Sequence, residues 1–162
     1  MMLQMNKECI KAIKSIVKLS KKNINKSYST RCAVVDNKMM FTDTFRILII
    51  PTILEDGEYT FNLVDGGAFF EPVAESNLPN FQMVAKFENF DLEDAESVCL
   101  SSIPSLVSAT KNNLTVNYQF LQDMNNKSSH KVKLTHLEES PLVPIYIVDG
   151  CVWWLLMPLK VD

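Results

Sequence analysis

The sequence predicts an α+β fold in which antiparallel sheet covers one side of paired helices, and three observations predict it. One segment near the start, NKECIKAIKSIVKLSKKN, carries a helical repeat. Short apolar runs elsewhere are broken by turn pairs, Asp36-Asn37 and Asp149-Gly150. The order helix, strand, strand, strand occurs twice along the chain, without close sequence repetition. The expected organisation of the 162 residues is one domain: a first unit over about 1–61, an insertion or linker over about 62–97, and a second unit over about 98–162.

The opening helix is the strongest element. Ile10, Ile13 and Val17 recur at helical spacing with Cys9, Ile16 and Ser20 beside them, and Asn6 stands where an N-cap belongs. Projected at about 100° per residue, Lys7, Lys11, Lys14, Lys18, Lys21 and Lys22 fall in one arc of about 100°, with the apolar residues on the opposite side. No acid interrupts the stripe, whereas an ordinary solvated face mixes Glu with Lys for i,i+4 pairing. The stripe suits a plain solvated face, or a surface for a polyanion, since a row of ammonium groups neutralises successive phosphates without reading sequence. A membrane-surface helix is the weaker third reading, because the apolar face lacks an anchoring Trp or Phe.

The next elements read as strands. RCAVVDNKMMFTDTFRILIIP gives a hairpin with arms near 31–35 and 38–41 around Asp36-Asn37, then a third strand near 45–50 that Pro51 ends. GEYTFNLV is a further strand, residues 66–75 read as a short helix or loop, and the acids between Glu88 and Glu96 mark an exposed loop. In the last third, NYQFLQDMNN is a short amphipathic piece, 130–137 a strand, and SPLVPIYIV and CVWWLLMPL pair across Asp149-Gly150. Phe69, Phe70 and Phe81 read as core rather than as stacking platforms for bases, because no basic residues interleave with them. Trp153 and Trp154 are neighbours on a strand, so one faces the core and the other the opposite side. Asp43 and Arg46 admit a bland reading as an exposed pair at a hairpin end, worth under ~1 kcal/mol.

The mean charge hides a separation. Net charge is −3, yet residues 1–26 hold seven lysines against the single acid Glu8, a net +6, and the remaining 136 residues carry nine basic and eighteen acidic side chains. The longest apolar stretch, 145–156 with Asp149 inside it, falls short of the roughly 18 residues of a membrane span, and MMLQMNKE has no apolar signal-peptide region, so an intracellular, cytoplasmic protein with no membrane partner is expected. Four cysteines without a C-x-x-C pair and two histidines assemble no zinc spacing; free buried thiols are the plain reading. Phosphate-loop, dinucleotide and G-x-S-x-G fingerprints are missing from the sequence, and no convergent acid, base or nucleophile set is visible. The expectation is a non-enzyme with no catalytic residue, metal or cofactor.

Four short segments then carry a resemblance. Met40-Phe41-Thr42-Asp43-Thr44-Phe45-Arg46-Ile47-Leu48 resembles the A-T-D-G-H-R-L-A signature of the bacterial sliding clamp, the beta subunit of DNA polymerase III. Asn77-Leu78-Pro79-Asn80-Phe81-Gln82-Met83-Val84 is similar to its F-P-D-Y-x-x-V linker. Val116-Asn117-Tyr118-Gln119-Phe120-Leu121-Gln122-Asp123-Met124 is similar to its F-N-x-x-Y-L-L-D-A-L helix start, and Trp154-Leu155-Leu156-Met157-Pro158-Leu159-Lys160 to its terminal Y-V-V-M-P-M-R-L. The matches occur in the family's order across residues 40–160.

The resemblance implies a clamp-like α+β fold of paired helix-plus-three-strand units, sheets outside, and helices on one face lining a DNA channel. It implies a non-enzymatic processivity accessory protein of DNA replication, with duplex DNA bound non-specifically through its backbone. It also implies a cleft for a linear peptide of a DNA polymerase or other replication or repair protein. The cleft positions carry over to Thr42, Thr44, Arg46 and Ile47, to Pro79 and Val84, and to Met157, Pro158 and Leu159. Thr44-Phe45 stands where the family has Gly-His, so a different turn is expected there. A chain this short suggests a reduced, phage-like relative that closes a ring only as a homo-oligomer. The alternative is a monomeric clamp-like interaction module or inhibitor that sequesters clamp-binding proteins.

Overall fold

The lysine-rich segment forms the helix its periodicity predicts. In the computed structural model, which describes residues 1–22, 26–76, 78, 96–110, 114–124, 130–134, 145–149, 152–156 and 159–160, α1 runs Lys7–Ser20. The Asn6 side chain caps it, its Oδ1 accepting the Cys9 N–H at 2.8 Å. Cys9, Ala12, Ile13, Ile16 and Ser20 are buried and the lysines are exposed, so α1 turns its apolar edge to the strands it packs on.

Two compact units divide the chain, Met1–Phe90 and Asp91–Asp162. The first holds β1 (Met2–Gln4), α1, a 3-10 turn (Lys26–Ser29), β2 (Arg31–Val35), β3 (Lys38–Thr42), β4 (Arg46–Pro51), β5 (Gly57–Val64) and β6 (Gly67–Val73). Its strands lie in the order β1-β6-β5-β2-β3-β4, each antiparallel to its neighbours, with α1 against β3 and β4. The β2–β3 hairpin closes at Asp36-Asn37 with φ of 50° and 63°, the paired left-handed conformation that matches the twist of the flanking strands.

Packing follows the two-residue alternation of strands. Cys32 and Val34 on β2, Met39 and Phe41 on β3, Tyr59 and Phe61 on β5 and Phe70 on β6 are buried. Phe41 meets Phe61 edge-to-face at 5.0 Å between ring centroids, and Phe61 stands opposite Phe70 in the β5–β6 register. Met40 and Ile49, register partners on the other face, are also fully buried, so β3 and β4 are covered on both sides. Burial pushes the Cys32 thiol well above its ordinary range, with Glu58 adding to the shift, which leaves it protonated and unreactive.

Residues 66–75, expected as a short helix or loop, form β6 instead. Asp65-Gly66 reverses the chain, with Gly66 at φ 78°, and the burial of Ala68 and Phe70 against exposed Phe69 and Glu71 is strand periodicity. Phe69, expected in the core, is 43% exposed on the outward side of β6, while Phe70 is buried. Phe81 lies outside the described residues, as do residues 88–95 of the acidic stretch. Glu96 opens a strand.

The second unit contains β7 (Glu96–Val98), a 3-10 turn (Leu100–Ser102), α2 (Ile103–Thr110), β8 (Leu114–Thr115), α3 (Tyr118–Gln122), β9 (His130–Leu134), β10 (Ile145–Asp149), β11 (Val152–Leu156) and β12 (Leu159–Lys160). Strands β11, β10, β9 and β7 pair antiparallel in that order, and β12 pairs with β8. The expected pairing of the segments around residues 149–150 is present as β10–β11, but Asp149 is itself a strand residue opposite Val152, and residues 150–151 lie outside the described residues. Trp154 is fully buried and Trp153 partly exposed, as neighbours on a strand must divide. His130 and Asp149 form a buried cross-strand pair, Nε2 to Oδ1 3.0 Å.

Strand β1 depends on a close approach. Gly67 pairs with Gln4, and a Cβ at Gly67 would collide with the Leu3 carbonyl. Gly67→Ala is expected to loosen β1 from β6 and to lower stability by about 1–3 kcal/mol, the usual range for overpacking. Hydrogen exchange is the check: faster exchange at Leu3 and Met5 is expected, and unchanged protection there would show that β1 is held by something other than this contact.

Candidate functional site

Two features of the first unit hold the candidate functional residues, the lysine face of α1 and the β3–β4 turn. All six lysines of the stripe, Lys7, Lys11, Lys14, Lys18, Lys21 and Lys22, are exposed. Lys7, Lys11, Lys14 and Lys18 lie on α1, which rises about 20 Å from Lys7 to Ser20, while Lys21 is its C-cap and Lys22 follows the helix. Glu8, the one acid of the segment, sits in the first turn, where the helix dipole favours it.

The β3–β4 turn is built on a buried ion pair. Asp43 is fully buried and Arg46 is 2% exposed, with Nε 2.7 Å from Asp43 Oδ2. The other carboxylate oxygen, Oδ1, accepts the backbone N–H groups of Phe45 at 3.1 Å and Arg46 at 3.0 Å. One aspartate therefore closes the turn and neutralises the guanidinium. Thr42 adds a second closure: its hydroxyl lies 2.9 Å from the Arg46 carbonyl and accepts the Thr44 N–H at 3.1 Å. The bland reading of Asp43 and Arg46 as an exposed surface pair is corrected here, since both are buried.

Thr44 occupies the glycine position of the resembled motif and takes the left-handed conformation itself, at φ 80°. For a β-branched residue that conformation costs about 1–3 kcal/mol and persists only where the surroundings over-determine it. The Asp43 and Thr42 hydrogen bonds supply that determination. Phe45 next to it is 49% exposed.

The turn is also bolted to the helix. Arg46 Nη2 reaches the Ser15 carbonyl at 3.4 Å, and the Ser20 hydroxyl lies 2.8 Å from the Ile16 carbonyl and 3.2 Å from the Thr42 carbonyl. These contacts fix the rotation of α1 about its axis and hence the direction in which the lysines point.

Of the expected peptide-cleft positions, Thr42 and Arg46 are buried and build the turn, Thr44 is exposed, and Ile47 is partly exposed opposite Thr42 in the β3–β4 register. Leu159 lies on β12, where its backbone pairs with Thr115. Pro79, Val84, Met157 and Pro158 lie outside the described residues. Among the described residues there is no group of three or more His, Cys, Asp or Glu side chains that could hold a metal ion, and no helix long and apolar enough to cross a membrane. Sequence reasoning missed the link from Arg46 to Ser15; the only signal for it was an arginine three residues after an aspartate.

Removing one member of the pair strands a buried charge. Asp43→Ala is expected to destabilise the first unit by about 3–5 kcal/mol. Asp43→Ala with Arg46→Met, which removes both charges, is expected to recover part of that loss. Denaturant unfolding checks this, and a double variant no more stable than Asp43→Ala would contradict the ion-pair account.

No protein-family model matches the chain, and no curated protein matches it. Solved structures do. The chain aligns with Caulobacter crescentus pol III beta at a TM-score of 0.55 and 11% identity, over 99% of this chain and 66% of that one. A DNA polymerase III beta subunit structure from Eubacterium rectale aligns at a TM-score of 0.50 and 10% identity, over 98% of this chain and 65% of that one. The chain thus spans slightly less than two thirds of the length of these structures, and its fold is clamp-like.

Proposed function

We propose that this protein is a clamp-like, DNA-associated accessory factor of replication, not an enzyme, whose α1 lysine face lies against the duplex backbone. The observation that carries the reading is the agreement of two independent features: an uninterrupted, exposed lysine stripe along α1 and its C-terminal end, and a fold shared with DNA polymerase III beta chains. Contacts of this kind are electrostatic, tolerate any sequence and permit movement along the duplex.

The same reading assigns recruitment of a polymerase or repair protein to a linear peptide, with Thr44 and Ile47 as accessible residues of the first motif. Self-association into a larger assembly belongs to it as well.

Lys11→Glu, Lys14→Glu and Lys18→Glu together are expected to abolish duplex binding and leave the fold intact, because all three side chains are exposed. In partial variants the log–log dependence of affinity on salt should flatten by about 0.9 for each phosphate no longer neutralised. Fluorescence anisotropy with a labelled duplex, alongside circular dichroism, is the measurement. Undiminished duplex binding by the folded triple variant would overturn the reading.

A further inference from the structure

Strand β1 ends the strand order of the first unit on the side away from β4, and one side of its backbone is unpaired among the described residues. Phe70 donates its N–H to the Met1 carbonyl at 2.8 Å, and Met5 donates to the Gly66 carbonyl at 3.1 Å. The alternation of an antiparallel ladder therefore turns the N–H and C=O groups of Met2 and Gln4 away from β6. Edges of this kind are usually guarded by lysine, proline or a bulge, and β1 carries none of these.

Two kinds of side chain border the edge. Met2 and its register partner Phe69 are each 43% exposed on the outward face, and Val64, diagonal to Phe69 across β5–β6, is exposed as well. Beside them opens a cavity of about 490 Å³ lined by Met2, Gln4, Met5, Asn6, Asp65 and Gly66. Its one charged group is the Asp65 carboxylate, on the two-residue turn between β5 and β6, and no basic side chain lines it.

We infer that β1 is a docking edge for an extended segment of another protein, which adds as a further strand, packs an apolar side chain on Met2 and Phe69, and places a lysine or arginine in the cavity against Asp65. Backbone pairing gives such a contact its affinity, and the two side-chain subsites give it selectivity. Charge decides among occupants. Asp65 in the cavity and exposed Glu71, two residues from Phe69 on the same face of β6, disfavour phosphates and suit a basic segment. A second copy pairing through β7 would bring Glu96, Ser97 and Val98, an acid where the cavity calls for a base. The edge involves neither the lysine face of α1 nor the β3–β4 turn, and stands or falls apart from them.

The test titrates the whole isotopically labelled protein with the peptide acetyl-Thr-Val-Thr-Val-Thr-Arg-amide and follows amide shifts and hydrogen exchange by NMR. Shifts centred on Met2, Gln4, Gly66 and Phe69 are expected, with exchange at the Met2 and Gln4 N–H groups, open in the free protein, slowed on binding. Asp65→Asn keeps a favoured turn pair with Gly66 and so leaves the fold intact. It is expected to weaken the arginine peptide about 3- to 10-fold, between the effect of an exposed ion pair and that of a buried charge-assisted hydrogen bond. A peptide with glutamine in place of arginine should be indifferent to the same substitution. No shift along β1 at millimolar peptide, or an equal effect of Asp65→Asn on both peptides, would overturn the inference. So would Met2 and Gln4 N–H groups that become protected with rising protein concentration in the absence of peptide, which would place a second copy on the edge.

Discussion

The buried Asp43–Arg46 pair is the constraint on which the arrangement of the first unit depends. A guanidinium removed from water has to be neutralised and hydrogen-bonded, and Asp43 meets part of that need while its second oxygen closes the β3–β4 turn. The same guanidinium continues to Ser15, so one ion pair joins a turn, two strands and a helix. The conformational cost of Thr44 in the left-handed region is tolerable because this pair and the Thr42 hydroxyl leave the backbone no cheaper route. Orientation of the lysine face is thus a consequence of packing, not of the lysines themselves.

Charge and fold divide their roles along the chain. The lysines sit on a helix whose opposite edge is buried, so they contribute little to stability and are free to serve an interaction. An overall net charge of −3 conceals this, because the excess of acids lies elsewhere in the sequence. Under the proposed DNA-associated reading, such separation would concentrate attraction for phosphate on the lysine face.

Much of the first unit was legible in the sequence for local reasons. Helix α1 was readable from its period and its Asn6 cap, and the β2–β3 hairpin from Asp36-Asn37, because both signals act over a few residues. Strand β6 was missed because Gly66-Gly67 and Pro72 resemble loop composition, although Asp65-Gly66 is the same kind of turn pair that marked residues 149–150. Strand β1 is three residues long, too short for any period, and exists because Gly67 lets a second backbone approach. The burial of Asp43 and Arg46 was not legible at all. Whether an i,i+3 pair is solvated or enclosed depends on what the helix and strands bring over it, which no local pattern encodes. The short motifs around Thr42 and Val116 pointed to the clamp-like fold in spite of identities near 10% to solved structures, since they mark turns and strand ends on which the architecture depends.

The central claim is that α1 meets DNA through phosphate neutralisation alone. Its most direct test is the affinity of the unaltered protein for two duplexes of unrelated sequence across a range of salt concentrations. The account predicts parallel lines of log K against log salt, steeply negative and coincident for the two sequences, with a slope of about −0.9 for each phosphate neutralised. A shallow slope, or affinities that separate by sequence, would contradict it.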